Sequence, residues 1–191
     1  MVHALGRAGV PVADVPLHGD VGRAVRTGVG LLETSSFAKY EVTGTGAGAW
    51  LEQILANRLP REGRLTLSPM LNDEGKLIGD FTVANAGRGR YFVFGSGIAE
   101  QYHLRWFEAH LPPAGVALRA LRTDLLGIGI AGPRSRELLS RLTGDDVSAV
   151  ALPFLSFRAM DVAMLPAHVG RIQFSGNGVA PAVFAGRVLA G

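Results

Sequence analysis

The sequence predicts an α+β fold in which antiparallel or mixed sheets pack against helices. Segments with strand-like alternation occur singly and in hairpin-like pairs between amphipathic helices, and they do not follow strict strand–helix alternation. Hydrophobic residues make up 48% of the 191 residues and charged residues 18%, which is sufficient for a packed core. A doubly wound parallel sheet is therefore disfavoured.

The first half of the chain carries clear periodic segments. Residues 39–43 alternate like a strand, and Thr45 is placed to cap a helix that follows. Residues 64–67 and 76–84 have the pattern of two strands, and the polar segment 72–75 between them is typical of a hairpin turn. This half therefore contributes at least three strands and one helix.

The second half continues in the same irregular order. Residues 90–94 form a short apolar segment that leads through Gly95-Ser96-Gly97 into a helix. The expected apolar stripe of this helix contains Ile98, Tyr102, Trp106 and Ala109. Further strands are expected at 116–122, 126–131, 156–164 and 169–174, and a further helix after Pro133.

Composition excludes several classes of protein. The absence of cysteine removes disulfides and thiolate chemistry. Lys and Arg number 19 against 16 Asp and Glu, and the arginines are dispersed along the chain. The sequence therefore lacks the clustered basic residues that are typical of nucleic-acid binding. No apolar run reaches the length of about 18 residues that a membrane span requires, and no charged-then-apolar leader is apparent. We therefore expect a cytoplasmic protein that binds neither nucleic acid nor membrane.

Two patterns that could suggest a cofactor or a metal have simpler explanations. Gly95-Ser96-Gly97 lies between a strand and a helix, but Glu100 stands where a dinucleotide-binding loop has its third glycine, so a tight turn is favoured. His103 and His110 are seven residues apart without a carboxylate in a known ligand pattern, so exposed helix positions are favoured. No metal site is predicted.

Asp80 is the carboxylate that the pattern singles out. It lies in the middle of a predicted strand next to Gly79, where propensity disfavours an aspartate. Strand alternation places Leu77, Phe81 and Val83 on the face of Gly79, and Ile78, Asp80 and Thr82 on the opposite face. Two interpretations remain open, a solvated sheet face and a carboxylate held at a cleft.

Five motifs occur in an order that is specific to one family. They are GLLETSSFAKYEV at 30–42, PMLNDEG at 69–75, GDFTV at 79–83, YHLRW at 102–106 and GPRSRELL at 132–139. Together they resemble the folate-binding domain family of the glycine-cleavage T-protein, the aminomethyltransferases. The sequences of these motifs most resemble the domain that follows the flavin domain in dimethylglycine and sarcosine dehydrogenases and oxidases.

The resemblance implies tetrahydrofolate-dependent one-carbon transfer from an amine-derived donor, and therefore an enzyme of the aminomethyltransferase type. In the family, the carboxylate that matches Asp80 lies near the folate nitrogens, which implies a catalytic role for Asp80. Met70, Leu71 and Asn72 on the preceding turn would help to line the folate site. The resemblance also implies a flavin-containing domain or subunit as a partner, with no flavin site in this chain.

The sequence departs from the family pattern near its end. Where the family has a Gly-Glu motif with a pterin-binding glutamate, this chain has Ser175-Gly176-Asn177-Gly178. We therefore expect an arm at 1–19, the first half of a T-protein-like domain at 20–176 and an atypical tail at 177–191, without the C-terminal barrel. A truncation or a change of reading frame would explain the tail and would leave 171–174 as a strand without its normal partners.

These departures leave two functional hypotheses open. The first is the folate-binding, one-carbon-transferring part of a dimethylglycine/sarcosine-type enzyme. The second is a catalytically impaired, truncated member that acts as a structural or interaction subunit of a flavin oxidoreductase complex. The motif around Asp80 favours the first hypothesis, and the missing glutamate favours the second.

Overall fold

The computed structural model describes residues 25–174 and 178–185, and it confirms the α+β class with antiparallel sheets. The strands are β1 Gly30–Glu33, β2 Ala38–Thr43, β3 Arg64–Leu71, β4 Leu77–Gly87, β5 Arg90–Gly95, β6 Ala117–Ala120, β7 Leu126–Ala131, β8 Phe157–Val162, β9 Leu165–Phe174 and β10 Gly178–Ala185. The helices are α1 Ala47–Ile54, α2 Glu100–Ala109 and α3 Ser135–Ser140, with short 3-10 turns at Gly97–Ala99 and Arg122–Asp124. None of the helices in the described ranges combines the length and hydrophobicity that crossing a membrane requires.

The chain divides into two compact units, and Ser35–Leu125 is the one that contains the sequence-predicted site. Its sheet has the strand order β3-β4-β5-β2-β6, with every neighbouring pair antiparallel. The helices α1 and α2 supply buried side chains to the core on one face of this sheet. That core contains Tyr40, Val42, Trp50, Leu51, Met70, Phe81, Val83, Val93 and Phe107.

The second unit combines the described residues up to Thr34 with those from Leu126 onward. Its antiparallel sheet has the order β1-β7-β10-β9-β8. Leu138, Leu139 and Leu142, on and just after α3, pack against side chains of β8 and β9 such as Met160 and Val169. Helix α3 therefore supplies one side of this unit's core.

Two local predictions about helices are wrong. Thr45 does not cap α1, because Gly46 occupies the N-cap position and no side chain bonds the first turn there. The buried face of α2 is formed by His103 and Phe107, whereas Ile98 lies just before this helix and is fully exposed. The apolar residues alone predict a different face of the helix, because a histidine occupies a core position.

The prediction that the strand at 171–174 lacks partners is also wrong. This segment is the end of β9, and each of its residues pairs with a residue of β10, whereas β8 pairs with residues 165–170 of β9. The backbone of Gly178–Ala185, within the stretch expected to be an atypical tail, therefore supplies the partner. β9 is therefore an interior strand of its sheet.

The hairpin between β8 and β9 contains local strain that a substitution can relieve. Val162 pairs with Leu165, so Ala163 and Met164 form a two-residue turn, and both have positive φ, 52° and 67°. Such turns favour glycine, and the left-handed conformation costs other residues about 1 kcal/mol. Met164 is 90% exposed and would lose few contacts. We expect Met164→Gly to raise the free energy of unfolding by about 0.5 to 1 kcal/mol in urea denaturation.

Met164→Ala is the matched control for this prediction. It removes the same exposed side chain but keeps the Cβ atom that makes positive φ unfavourable. We expect no stabilisation from it, and equal stabilities of the two variants would show that the turn is not strained.

Candidate functional site

The structure places Asp80 on β4, the second strand of the five-stranded sheet. Its neighbours Gly79 and Phe81 are buried, whereas the Asp80 side chain is exposed, so the predicted alternation is confirmed from Gly79 onward. It is wrong before Gly79, where Leu77 is exposed and Ile78 packs against the core, because the register shifts there. The described part of the chain gives its carboxylate no hydrogen bond or ion pair. Asp80 is therefore a fixed point of negative charge that is available to a ligand, while its placement in a cleft stays a prediction.

The residues around Asp80 follow from the register of the β3–β4 hairpin. Pro69 pairs with Asp80, and Leu67 pairs with Thr82 one step along the same face. The carbonyl of Pro69 accepts the Ala56 N–H at 2.9 Å and therefore points away from β4. The nitrogen of Pro69 points to the same side, so its lack of an N–H removes no hydrogen bond between β3 and β4. Leu67 is 58% exposed and Pro69 half-buried. We call Leu67, Pro69, Asp80 and Thr82 the Asp80 face; it combines one carboxylate with adjacent apolar surface.

Two of the three other predicted site residues, Met70 and Asn72, do not lie on the Asp80 face. Met70 is fully buried in the core on the opposite face, where it pairs with Gly79. Asn72 closes the hairpin turn, because its Oδ1 accepts the backbone N–H groups of Glu74 and Lys76 at 3.1 and 2.8 Å. Leu71 follows Pro69 by two residues on β3, so strand alternation places it on the side of the Asp80 face, where it is 39% exposed. Met70 and Asn72 thus have structural roles, and their part in a folate site stays a prediction.

Other charges lie farther along the same face of the sheet. Lys39 is fully buried on β2, and its Nζ donates to the carbonyls of Ser35 and Phe37 at 2.5 and 2.9 Å. Glu41, two residues on, binds the guanidinium groups of Arg90 and Arg119 at 2.6 and 3.0 Å. These groups therefore already have partners within the unit, which sets them apart from the Asp80 carboxylate.

The prediction that His103 occupies an exposed helix position is wrong. Its side chain is only 3% exposed, and its ring contacts the edge of Phe81 with the centroids 4.8 Å apart. A Cβ atom at position 79 would lie 2.5 Å from the Phe81 ring and 3.0 Å from His103 Nε2, which explains the glycine next to Asp80. The spacing of four residues between His103 and Phe107 was the signal that could have revealed this core position.

The burial of His103 predicts a pH dependence of stability. Desolvation lowers the pKa of His103 below its ordinary value of 6.5, and the hydrogen bond to Ile78 opposes this only in part. The unfolded chain therefore takes up a proton more readily than the folded one. We expect the full stability above about pH 6.5 and a decreasing free energy of unfolding as the pH falls below that value, measured by urea denaturation.

Two variants separate His103 from the other titrating groups. His103→Gln removes the titration and is expected to flatten this part of the profile. His110→Gln, an exposed position just after the same helix, is expected to leave it unchanged. A profile of His103→Gln parallel to the wild type would contradict the assignment to His103.

The chain is similar to known proteins both in sequence and in structure. The model of the family described as "GCVT N-terminal domain" matches residues 18–178. Rat dimethylglycine dehydrogenase is 28% identical over 151 residues, which are 78% of this chain and 18% of that protein. The aminomethyltransferase of Chloroherpeton thalassium is 29% identical over 157 residues, which are 81% of this chain and 43% of that protein. This chain thus spans under half the length of either relative.

Two solved structures share the fold. The aminomethyltransferase T of the glycine cleavage system from Bartonella henselae has a TM-score of 0.74 at 17% identity, over 88% of this chain and 45% of that one. A chain of the heterotetrameric sarcosine oxidase from Corynebacterium sp. U-96 has a TM-score of 0.64 at 13% identity, over 92% of this chain and 88% of that one. Because the match covers most of both chains, the two chains are similar in length.

Proposed function

Because this chain belongs to the family of the GCVT N-terminal domain, we propose that it contributes the tetrahydrofolate-contacting carboxylate of an aminomethyl-type one-carbon transfer protein. The amine that supplies the carbon would be of the dimethylglycine or sarcosine type, as in the named relatives. The observation that carries the proposal is the exposed Asp80 carboxylate, which lies on a paired strand.

The residues of the Asp80 face suit a ligand that combines a flat apolar ring with nitrogen donors. Leu67 and Pro69 offer apolar surface beside the carboxylate. Tetrahydrofolate, when bound, supplies nitrogens that accept a one-carbon unit. Asp80 would accept a hydrogen bond from such a nitrogen and stabilise positive charge that develops there. Pairing of β4 with β3 fixes the Asp80 backbone, so little reorganisation is needed when the charge appears.

The test of this proposal is a calorimetric titration of the full chain with tetrahydrofolate. We expect saturable binding that Asp80→Asn weakens by no more than about tenfold, since the amide keeps the size and one acceptor oxygen. A chain that is folded by circular dichroism and gives no binding heat would contradict the proposal.

A second candidate function is that of a structural or interaction subunit of a flavin oxidoreductase complex. It is favoured by the structural match to a chain of similar length in a heterotetrameric sarcosine oxidase. The Ser175-Gly176-Asn177 segment, in place of the family's Gly-Glu motif, points in the same direction. Sedimentation of this chain with a purified flavin-containing amine oxidoreductase subunit from the same source would test it. A complex without folate binding would favour this candidate over the first.

A further inference from the structure

The strand that carries Asp80 contains a β-bulge two residues before it. Met70 of β3 pairs with Gly79, but the next residue, Leu71, pairs with Leu77. Ile78 is therefore left without a partner in the ladder. A bulge bends its strand and changes the direction of the side chains that follow, which is why bulges are frequent beside active sites.

His103 binds this bulge from helix α2. Its Nε2 lies 2.9 Å from the carbonyl oxygen of Ile78. A carbonyl can only accept, so Nε2 is protonated and donates this hydrogen bond. The Nδ1 atom is buried and has no hydrogen-bond partner among the described residues. The single polar contact of the imidazole within the described chain is thus made to the unpaired residue of the bulge.

Packing fixes the position of this imidazole. It lies against Phe81 and over Gly79, the two residues that flank Asp80 on the buried face. The imidazole of His103 therefore contacts the backbone and side chains on both sides of Asp80. It forms a hydrogen bond at position 78 and packs at positions 79 and 81.

We propose that His103 is a positioning residue for Asp80, acting through its hydrogen bond to the Ile78 bulge. The inference rests on the proposed function, in which Asp80 contacts the ligand. Without the Nε2–H donor, the carbonyl of the half-buried Ile78 loses its partner and the bulge relaxes to satisfy it. Because the side-chain direction in a strand follows the backbone, the Asp80 carboxylate moves away from its productive position, and displacements of about 1 Å are costly to catalysis.

Three variants test this role. His103→Gln retains an N–H donor near the position of Nε2, and His103→Leu replaces the ring by an apolar side chain without a donor. Phe107→Leu is the matched control, since Phe107 is equally buried on the same helix and contacts Phe81, while the hydrogen bond to Ile78 is made by His103. All three are expected to lower the melting temperature, so stability alone does not distinguish them.

The first measurement needs no ligand. Amide hydrogen exchange of residues 77–80 is compared with that of β5 in the full-length chain. We expect His103→Leu to accelerate exchange in 77–80 by about tenfold relative to β5, and His103→Gln and Phe107→Leu to leave this ratio near the wild-type value. An unchanged ratio in His103→Leu, or the same change in Phe107→Leu, would overturn the proposal.

The second measurement is the single-turnover rate of one-carbon transfer in the active assembly. We expect a loss of about tenfold or more in His103→Leu, recovery in His103→Gln and the wild-type rate in Phe107→Leu, while the affinity of all three for tetrahydrofolate changes by less than about tenfold. Equal rates of His103→Leu and the wild type would overturn the positioning role. If the wild type itself does not bind tetrahydrofolate, the proposed function fails, and the exchange measurement still decides whether His103 holds the bulge.

Discussion

Asp80→Asn is expected to lower the rate of one-carbon transfer by about a hundredfold or more while the affinity for tetrahydrofolate changes by less than about tenfold. The substitution keeps the shape of the side chain and removes its charge. A fixed anion stabilises the transition state, in which positive charge develops, more strongly than the ground state. Removing one such electrostatic contact lowers the rate by about a hundredfold. In free energy this corresponds to about 2.7 kcal/mol of transition-state stabilisation.

The measurement uses single-turnover transfer in whatever assembly is active, so that chemistry is separated from product release. Asp73→Asn is the control, because Asp73 is another exposed aspartate of the β3–β4 hairpin and lies in its turn. It should change neither rate nor affinity. Equal rates for Asp80→Asn and the wild type would remove Asp80 from the mechanism, whereas a parallel loss of rate and affinity would assign it to binding alone.

Strands β2 to β9 could be predicted from the sequence because their signals are local, whereas β1 and β10 were not predicted. The hairpin of β3 and β4 follows from period-two alternation around a polar turn, and Asn72 closes that turn through its own side chain. The family resemblance, confirmed by the match over residues 18–178, rests on motifs in these same elements. Asp80 was singled out for a similar reason, as an aspartate at a position where a strand disfavours one.

What the sequence could not provide depends on contacts between distant residues. Met70 and Asp80 are close in the hairpin but lie on opposite faces, and only the register with Gly79 and Pro69 shows this. His103 was expected at an exposed helix position because no carboxylate accompanies His103 and His110 in a known metal-ligand pattern. The imidazole can be buried because Gly79, which lies 24 positions earlier in the chain, has no side chain to occupy that space.

The glycines around α2 illustrate the same point. Gly95 and Gly97 suggested either a dinucleotide loop or a tight turn, and the structure gives them packing roles. A Cβ atom at position 95 would lie 2.6 Å from the ring of Phe81, and one at position 97 would overlap the backbone carbonyl of Ser36. The glycines of this segment are therefore explained by close packing against the core and against the backbone before β2.

Gly97→Ala is accordingly expected to cause a large loss of stability. The added methyl group meets backbone atoms, which cannot rotate away as the end of a side chain can. The opposing segment is also held in place, because Lys39 Nζ binds the carbonyls of Ser35 and Phe37 on either side of Ser36. We expect a decrease of about 3 kcal/mol in the free energy of unfolding, at the upper end of over-packing effects. In a chain of this size the melting temperature should fall by about 10 °C.

Gly144→Ala provides the control for this effect. A Cβ atom at position 144 has no heavy atom within 4 Å, and the residue is exposed. Both substitutions add one methyl group and reduce the entropy of the unfolded chain equally, so their difference isolates the steric term at position 97. Thermal unfolding followed by circular dichroism gives that difference directly. If Gly97→Ala unfolds within about 2 °C of Gly144→Ala, the segment 35–37 yields to the methyl group, and Lys39 does not hold it rigidly.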